Sequence, residues 1–182
     1  MPPPREPVVY DATVEAMFSR ALKGRLSPRL KARVKQEGID LDAKLKPSYP
    51  REVWLRTMRL VVADLYPGVP EERAWFELGE RMVDSFGETL MGPALVGILK
   101  LLGPRRALGR MSQTFQHVNN YMQSKLEELG PGRFRLWVNE VGISPHFIAG
   151  TVSATLRTSG AADPRVEIAE FDGHQCVYVI SF

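Results

Sequence analysis

The side chains that could bind a metal ion or form a covalent intermediate are few and scattered along this chain of 182 residues. There is one cysteine, Cys176, and there are three histidines, His117, His146 and His174. His174 and Cys176 share one face of a predicted strand, but a zinc site needs several clustered ligands, and a nucleophile needs a base beside it. The spacing therefore predicts neither a metal site nor a catalytic nucleophile.

One pair of carboxylates has a spacing that could support acid–base chemistry. Asp84 and Glu88 are four positions apart, on one face of a predicted helix. Such pairs are more often surface or capping groups. The chain also lacks a Gly-x-Ser-x-Gly motif, a Walker loop and a Gly-x-Gly-x-x-Gly sequence before a helix. We therefore expect a protein that is not an enzyme.

Positive charge is concentrated near the start of the chain. Residues 1–60 carry 13 basic and 7 acidic side chains, although the net charge of the whole chain is only +3. The segment 20–35 holds seven cations, no acid and no aromatic side chain: Arg20, Lys23, Arg25, Arg29, Lys31, Arg33 and Lys35. Such a segment could neutralise nucleic-acid phosphates, so nucleic-acid binding is the alternative function. A solvated basic helix, or a surface for an acidic partner or an anionic membrane, would carry the same charges.

A second group of cations, Arg105, Arg106 and Arg110, opens a predicted helix after a Gly-Pro pair. Cations at a helix N-terminus oppose the helix dipole, whereas backbone N–H groups and arginine together bind phosphate well. We expect these three residues, with Arg29 and Arg33, to bind an anion or an acidic partner. A salt-bridged surface cluster is the alternative.

The elements that position these groups begin with helices. These helices are predicted from apolar residues at helical spacing, from Ser and Pro residues typical of helix starts, and from Gly residues typical of helix ends. The predicted helices cover residues 10–22, 28–37, 50–65, 70–86, 93–102 and 104–129, with a loop over 39–47 and a break at Gly103-Pro104.

The last third of the chain is predicted to be β-α-β-β. Residues 133–139 alternate with a period of two, which places Phe134, Leu136 and Val138 on one face of a strand. Ser144-Pro145 then starts a helix that Gly160 ends.

A tight hairpin is predicted after that helix. Asp172-Gly173 is a type I′ signal, and a two-residue loop would pair Ile168 with Val177 and Val166 with Val179. These β-branched pairs would form the core face. The opposite, mixed face would carry Glu167, Ala169, Cys176, Tyr178 and Ile180.

This order of elements predicts an α+β fold: about six N-terminal helices, followed by a β-α-β-β unit that forms a small antiparallel sheet. Residues 1–9 are Pro-rich and are expected to be a flexible lead. Residues 10–182 are expected to be a single domain, of which 10–48 is the basic helical part. The longest apolar run, 94–102, is too short to span a bilayer, and the single cysteine suits a reducing compartment, so we expect a cytoplasmic protein.

Four C-terminal segments of the sequence carry a family resemblance: Phe147-Ile-Ala-Gly-Thr-Val-Ser-Ala-Thr-Leu, Gly160-Ala-Ala, Val166-Glu-Ile and Cys176-Val-Tyr-Val-Ile-Ser-Phe. They resemble the signature of the vinyl-reductase-like domains. These domains share a fold superfamily with the haem nitric-oxide-binding domains and the TRAPP vesicle-tethering subunits. The resemblance implies a cavity between helices and sheet, and pairing of two subunits through helices. Met111, Phe115, Trp137 and Tyr178 would then line a site for a small hydrophobic ligand; core or surface packing of all four is the alternative.

The whole chain also resembles a family of paralogues expanded in myxobacteria, through phrases such as Val14-Glu-Ala-Met-Phe-Ser-Arg-Ala-Leu, Leu78-Gly-Glu-Arg and Gly103-Pro-Arg-Arg-Ala-Leu. This resemblance implies one intact domain and a signalling context. We therefore predict a binding or regulatory domain, acting as a sensor or adaptor, that forms a homodimer or binds a protein partner.

Haem is the cofactor that the superfamily raises. Its haem-binding members use a helical histidine, together with a Tyr-x-Ser-x-Arg motif for the propionates. No tyrosine of this chain begins such a motif, and His117 is expected to be a surface or hydrogen-bonded residue. We therefore expect no cofactor, and haem in particular is not expected.

Overall fold

Helices dominate the first two-thirds of the chain, and a four-stranded sheet with one helix forms the rest. The computed structural model describes residues 6–87 and 92–182, so part of the predicted lead and Glu88 of the predicted acid pair lie outside the described residues. The elements are β1 (Val8–Tyr10), α1 (Asp11–Glu15), a π-helical segment (Ala16–Ala21), α2 (Pro28–Gln36), β2 (Ser48–Pro50), α3 (Arg51–Leu65), α4 (Glu71–Gly87), α5 (Gly92–Val118), β3 (Ser124–Gly130), β4 (Arg133–Val138), α6 (Pro145–Thr158), β5 (Arg165–Phe171) and β6 (Cys176–Ser181).

The α+β class is confirmed, and so are the local signals that start two of the helices. The Ser27 hydroxyl accepts a hydrogen bond from the Leu30 backbone N–H (3.0 Å), and the Ser144 hydroxyl accepts one from His146 (3.2 Å). In both helices a proline follows the serine at the first helical position. These serines satisfy N–H groups that the helix itself leaves without a partner.

The predicted break at Gly103 is present as a kink inside α5. Gly103 has φ 72° and ψ 164°, a conformation that favours glycine, and Pro104 follows it. We call residues 92–102 the first half of α5 and residues 104–118 its second half.

The second half of α5 is shorter than predicted. It ends at Val118, and residues 124–130, predicted as helix, form strand β3, in which Leu126 pairs with Leu136 of β4. The cause is Asn119, whose side-chain oxygen accepts hydrogen bonds from the backbone N–H groups of Tyr121 (3.1 Å) and Met122 (2.7 Å). These bonds turn the chain where a helix would continue. The C-terminal unit is therefore β-β-α-β-β, with antiparallel strand order β3-β4-β6-β5.

The predicted register of the last hairpin is wrong. The Asp172 carboxylate accepts hydrogen bonds from the backbone N–H groups of His174 and Gln175 (both 2.9 Å), so the loop has four residues, and Phe171 pairs with Cys176. A bulge between Ile168 and Glu170 completes the shift. The core face of β6 therefore carries Cys176, Tyr178 and Ile180, which are buried, while Val177 and Val179 are only partly buried on the other face.

The inner face of the sheet is covered by α6, which also packs on α4 and on α5. The buried side chains Phe134, Leu136 and Val138 lie on this inner face, as predicted. No helix among the described residues is long and apolar enough to cross a membrane.

Candidate functional site

A cavity of about 870 Å³ lies between the helices. Its walls come from α1 and the π-helical segment, the end of α4, both halves of α5, α6 and the loop over 141–143. This volume lies in the range of small-molecule sites. The wall is mostly apolar, with a few polar groups at defined places.

One wall is the inner face of α6, where Thr151 and Thr155 follow Phe147 at helical spacing. Each threonine hydroxyl donates to the backbone carbonyl four residues earlier: Thr151 to Phe147 (2.9 Å) and Thr155 to Thr151 (2.8 Å). The donors are therefore satisfied inside the helix, while the hydroxyl oxygens can still accept a hydrogen bond from a ligand.

The facing wall is the second half of α5, which presents Ala107, Met111, Phe115 and Val118 to the cavity. Its end is held by the N-terminal segment. The Thr13 hydroxyl donates to the Val118 carbonyl (2.9 Å), and the Asn120 side chain accepts from the Val8 backbone N–H (2.8 Å). The first bond satisfies an orphan carbonyl at the helix end, and the second ties β1 to the residues just after it, so together they fix the part of α5 that carries His117.

Tyr121 contributes a phenol to the same cavity, directly after the Asn119 turn. Burial raises the pKa of Tyr121 to about 12, so its hydroxyl is neutral near pH 7. The Arg51 guanidinium lies 5.8 Å from the centre of its ring and pairs with Glu140 (3.0 Å). This contact joins α3 to the chain just before the cavity loop over 141–143.

The charged groups of the lining are predominantly basic. The described lining contains four cations, Arg20, Lys100, Arg110 and Arg157, and one acid, Asp84. Arg157 is engaged by Glu80 (2.7 Å) and Asp84 (3.1 Å), and its hydrogen bond to Glu80 raises its pKa. Lys100, Arg110 and His117 are exposed, so the cavity opens to solvent along α5.

Two of the four residues predicted to line a ligand site, Met111 and Phe115, do line this cavity. Trp137 lies on the outer face of the sheet, where its indole N–H donates to the Gln175 side chain (3.0 Å). Tyr178 lies on the inner face, and its hydroxyl donates to the Pro145 carbonyl (2.9 Å). Neither Trp137 nor Tyr178 is among the described lining residues.

The arginines predicted to bind an anion are distributed over two elements. Arg110 lines the cavity, Arg105 pairs with Glu128 (2.6 Å) and Arg106 is exposed. Arg29 and Arg33 lie on α2, which packs on α3.

Two cations of the basic segment 20–35 have acidic partners nearby. Lys35 pairs with Asp40 (2.7 Å) and Lys31 with Asp42 (3.5 Å). A third, Arg20, lines the cavity. The segment therefore does not present all its charge to a single outer surface.

Groups suited to metal or thiol chemistry are not gathered at the cavity. Within residues 6–87 and 92–182, no three His, Cys, Asp or Glu side chains lie close enough to hold a metal ion. Cys176 is buried in the sheet, and burial raises the pKa of its thiol. His117 is the one imidazole among the described lining residues.

The sequence analysis did not assign Thr13, Arg20, Tyr121 and Arg157 to a ligand site, although Arg20 belongs to the basic segment 20–35. The Asn119-Asn120 pair was the available signal for Tyr121, because asparagine side chains favour turns and oppose helix continuation. For the other three, nothing in the local sequence indicates that they face one cavity.

The fold is shared with solved H-NOX structures. A single-residue variant of the Fe(II) unliganded H-NOX protein from K. algicida has a TM-score of 0.63 and 13% identity, over 91% of this chain and 94% of that one. An oxygen-binding H-NOX domain related to soluble guanylate cyclases, in its oxygen complex, has a TM-score of 0.59 and 14% identity, over 94% and 93%. A structure concerning haem redox potential and protein-induced porphyrin distortion has a TM-score of 0.56 and 14% identity, over 95% and 99%.

These neighbours contradict one prediction. No cofactor was expected, and haem in particular was not, yet the solved structures that share this fold include H-NOX proteins and concern haem redox potential and haem distortion in the H-NOX family. At 13–14% identity the likeness establishes the fold. No curated protein matches the chain. The model of the family described as "Protein of unknown function (DUF2378)" matches residues 7–182, and the chain belongs to that family.

Proposed function

We propose that this protein is a sensor domain that binds, without converting it, an apolar small molecule carrying an acid group. The observation that carries the proposal is the cavity of about 870 Å³, with an apolar wall and basic groups on its open side. Apolar area supplies most of the binding energy in such sites, and a few charged groups set the orientation.

The charge of the lining supports an anionic ligand. Arg157 is held by two carboxylates, and Lys100 and Arg110 add positive charge on the exposed side of the cavity, where an acid group would enter. This positive charge attracts an acid group and repels a cation.

Haem is the first ligand to test, because it is planar, largely apolar and carries two propionates. The lining fits it: the volume suffices, His117 is an imidazole that could hold the iron, and Arg20 and Arg110 could pair with propionates. Since the Tyr-x-Ser-x-Arg motif is absent from the sequence, these arginines would replace it. When bound, haem would supply an iron centre for diatomic gases, with a potential set by its axial ligand.

The protein purified from cells should carry a small-molecule adduct in native mass spectrometry, or should bind added hemin or palmitate. Ala107→Leu and Ala16→Leu fill the cavity from two different walls, since both side chains are buried and line it. Each should weaken binding about tenfold or more, equivalent to about 1.4 kcal/mol. Ala32→Leu, on the exposed side of α2, is the matched control and should bind like the unmodified protein. Circular dichroism checks that each variant folds.

Hemin should give a Soret band that shifts in His117→Ala and is unchanged in His146→Ala, because His146 is not among the described lining residues. If the protein binds palmitate but not hemin, the ligand is not a tetrapyrrole, and an apolar acid remains the proposed class of ligand. If neither hemin nor palmitate binds and no adduct is present, the proposed function is wrong.

A further inference from the structure

The outer face of the first half of α5 is the most exposed apolar surface of the described chain. Leu101 is 87% exposed and Ile98 is 52% exposed, more than any other large hydrophobic side chain among the described residues. With Ala94, which is also exposed, they occupy positions spaced by four and three residues, so they form one stripe along the helix.

Val96, Leu99 and Leu102 of the same helical half line the cavity, and Ile98 also borders it. Ala94 and Leu101 are not among the described lining residues, so the exposed face extends beyond the cavity wall. Leaving a leucine almost fully in water is unfavourable unless another phase or molecule covers it.

The surroundings of this stripe are cationic. The sequence from Thr89 to Leu126 contains no Asp or Glu, and its cations include Lys100, Arg105 and Arg106. All three side chains are exposed. Arg105 pairs with Glu128, an acid that follows this segment in the sequence. Exposed apolar side chains surrounded by cations are typical of segments that lie at a lipid interface. The apolar side chains insert at the boundary between headgroups and acyl chains, and the cations contact anionic headgroups.

We infer that the outer face of the first half of α5 docks on an anionic lipid surface. A second copy of this chain is a poorer occupant, because a symmetric contact would bring Lys100, Arg105 and Arg106 of two copies against one another. No described helix is long and apolar enough to span a membrane, so the contact is peripheral.

The full chain should co-sediment with vesicles of phosphatidylcholine mixed with phosphatidylserine, and not with phosphatidylcholine alone. Leu101→Asp should reduce that binding about tenfold or more, because the variant loses an exposed apolar side chain and gains a charge repelled by the headgroups. The double variant Arg105→Gln, Arg106→Gln should also weaken binding and make it less sensitive to salt.

Phe171→Asp is the matched control, since Phe171 is 48% exposed and lies on β5. It should bind vesicles like the unmodified protein. Ala107→Leu, which fills the cavity, should bind them too, so failure of the proposed ligand and failure of this inference are distinguishable.

Two results would overturn the inference. One is equal sedimentation with neutral and anionic vesicles, or with neither. The other is that Leu101→Asp leaves vesicle binding intact while it converts a dimer to a monomer in analytical ultracentrifugation. That second result would assign the face to self-association.

Discussion

Gly79 of α4 and Gly150 of α6 lie at one helix crossing, each against the backbone of the other helix. A Cβ atom on Gly79 would overlap the carbonyl oxygen of Phe147, and one on Gly150 would overlap that of Phe76. This close approach places Met82 and Thr151 on adjoining walls of the cavity. Neither glycine has a positive φ, so the requirement is for space rather than for backbone conformation.

Gly150→Ala should lower the free energy of unfolding by about 2–3 kcal/mol, because the methyl group has to separate two packed helices. The urea concentration at the midpoint of unfolding measures this change, provided that the dependence of the unfolding free energy on urea concentration is the same for both proteins. Gly109→Ala is the control, since a Cβ there meets nothing within 4 Å, and it should stabilise the protein by about 0.5–1 kcal/mol through helix propensity. Equal midpoints for Gly150→Ala and the unmodified protein would contradict the close approach.

Thr13→Val should destabilise the protein by about 1–3 kcal/mol, because it leaves the Val118 carbonyl at the end of α5 without its donor. Thr13→Ser keeps the hydroxyl and should retain most of the stability. Urea unfolding of both variants checks the prediction. If Thr13→Ser costs more than Thr13→Val, packing of the methyl group rather than the hydrogen bond is the larger contribution at this position.

The ion pair between Arg51 and Glu140 should show a coupling energy of about 1–2 kcal/mol in a double-mutant cycle with Arg51→Met and Glu140→Gln. Its side chains are only 20% and 21% exposed, so solvent screens them weakly.

The exposed pair Arg73–Glu77, at 74% and 37%, is the control and should couple by less than about 0.5 kcal/mol. Equal coupling energies for the two pairs would show that Arg51–Glu140 does not help to hold α3 to the cavity loop.

Stability should fall at alkaline pH. Burial raises the pKa of Tyr121 to about 12 from 10.0 and also raises the pKa of Tyr178, so the folded state keeps both phenols protonated where the unfolded chain releases protons. The stabilisation is complete below pH 10 and is lost as pH rises towards 12, by up to about 3 kcal/mol for Tyr121. Tyr121→Phe should make the decline shallower in urea titrations at successive pH values, and an unchanged slope would contradict the assignment.

Much of the helical part could be predicted from local signals. Ser27 and Ser144 mark the starts of α2 and α6, and Gly103 marks the kink in α5, because each acts on backbone groups within a few residues. Strand β4 followed from the alternation of Phe134, Leu136 and Val138, since one face of that strand is buried.

Strand β3 and the last hairpin could not be predicted in the same way. Leu126 fits a helical stripe as well as a strand, and only its pairing with Leu136 selects the strand. For the hairpin, the choice between a two-residue and a four-residue loop depends on hydrogen bonds to the Asp172 side chain and on a bulge after Ile168. A one-residue change in register exchanges the two faces of β6, and Tyr178 therefore lies on the inner face of the sheet.

The α+β class, the starts of α2 and α6 and the apolar stripe of α5 that carries Met111 and Phe115 could be predicted from the amino-acid sequence, because they depend on neighbouring residues. The cavity depends on tertiary packing. Thr13, Tyr121 and Arg157 come from three elements far apart in the chain, and they face one space because α4 and α6 cross closely and the N-terminal segment holds the end of α5. No local pattern encodes such an assembly, since it results from which surfaces pack together.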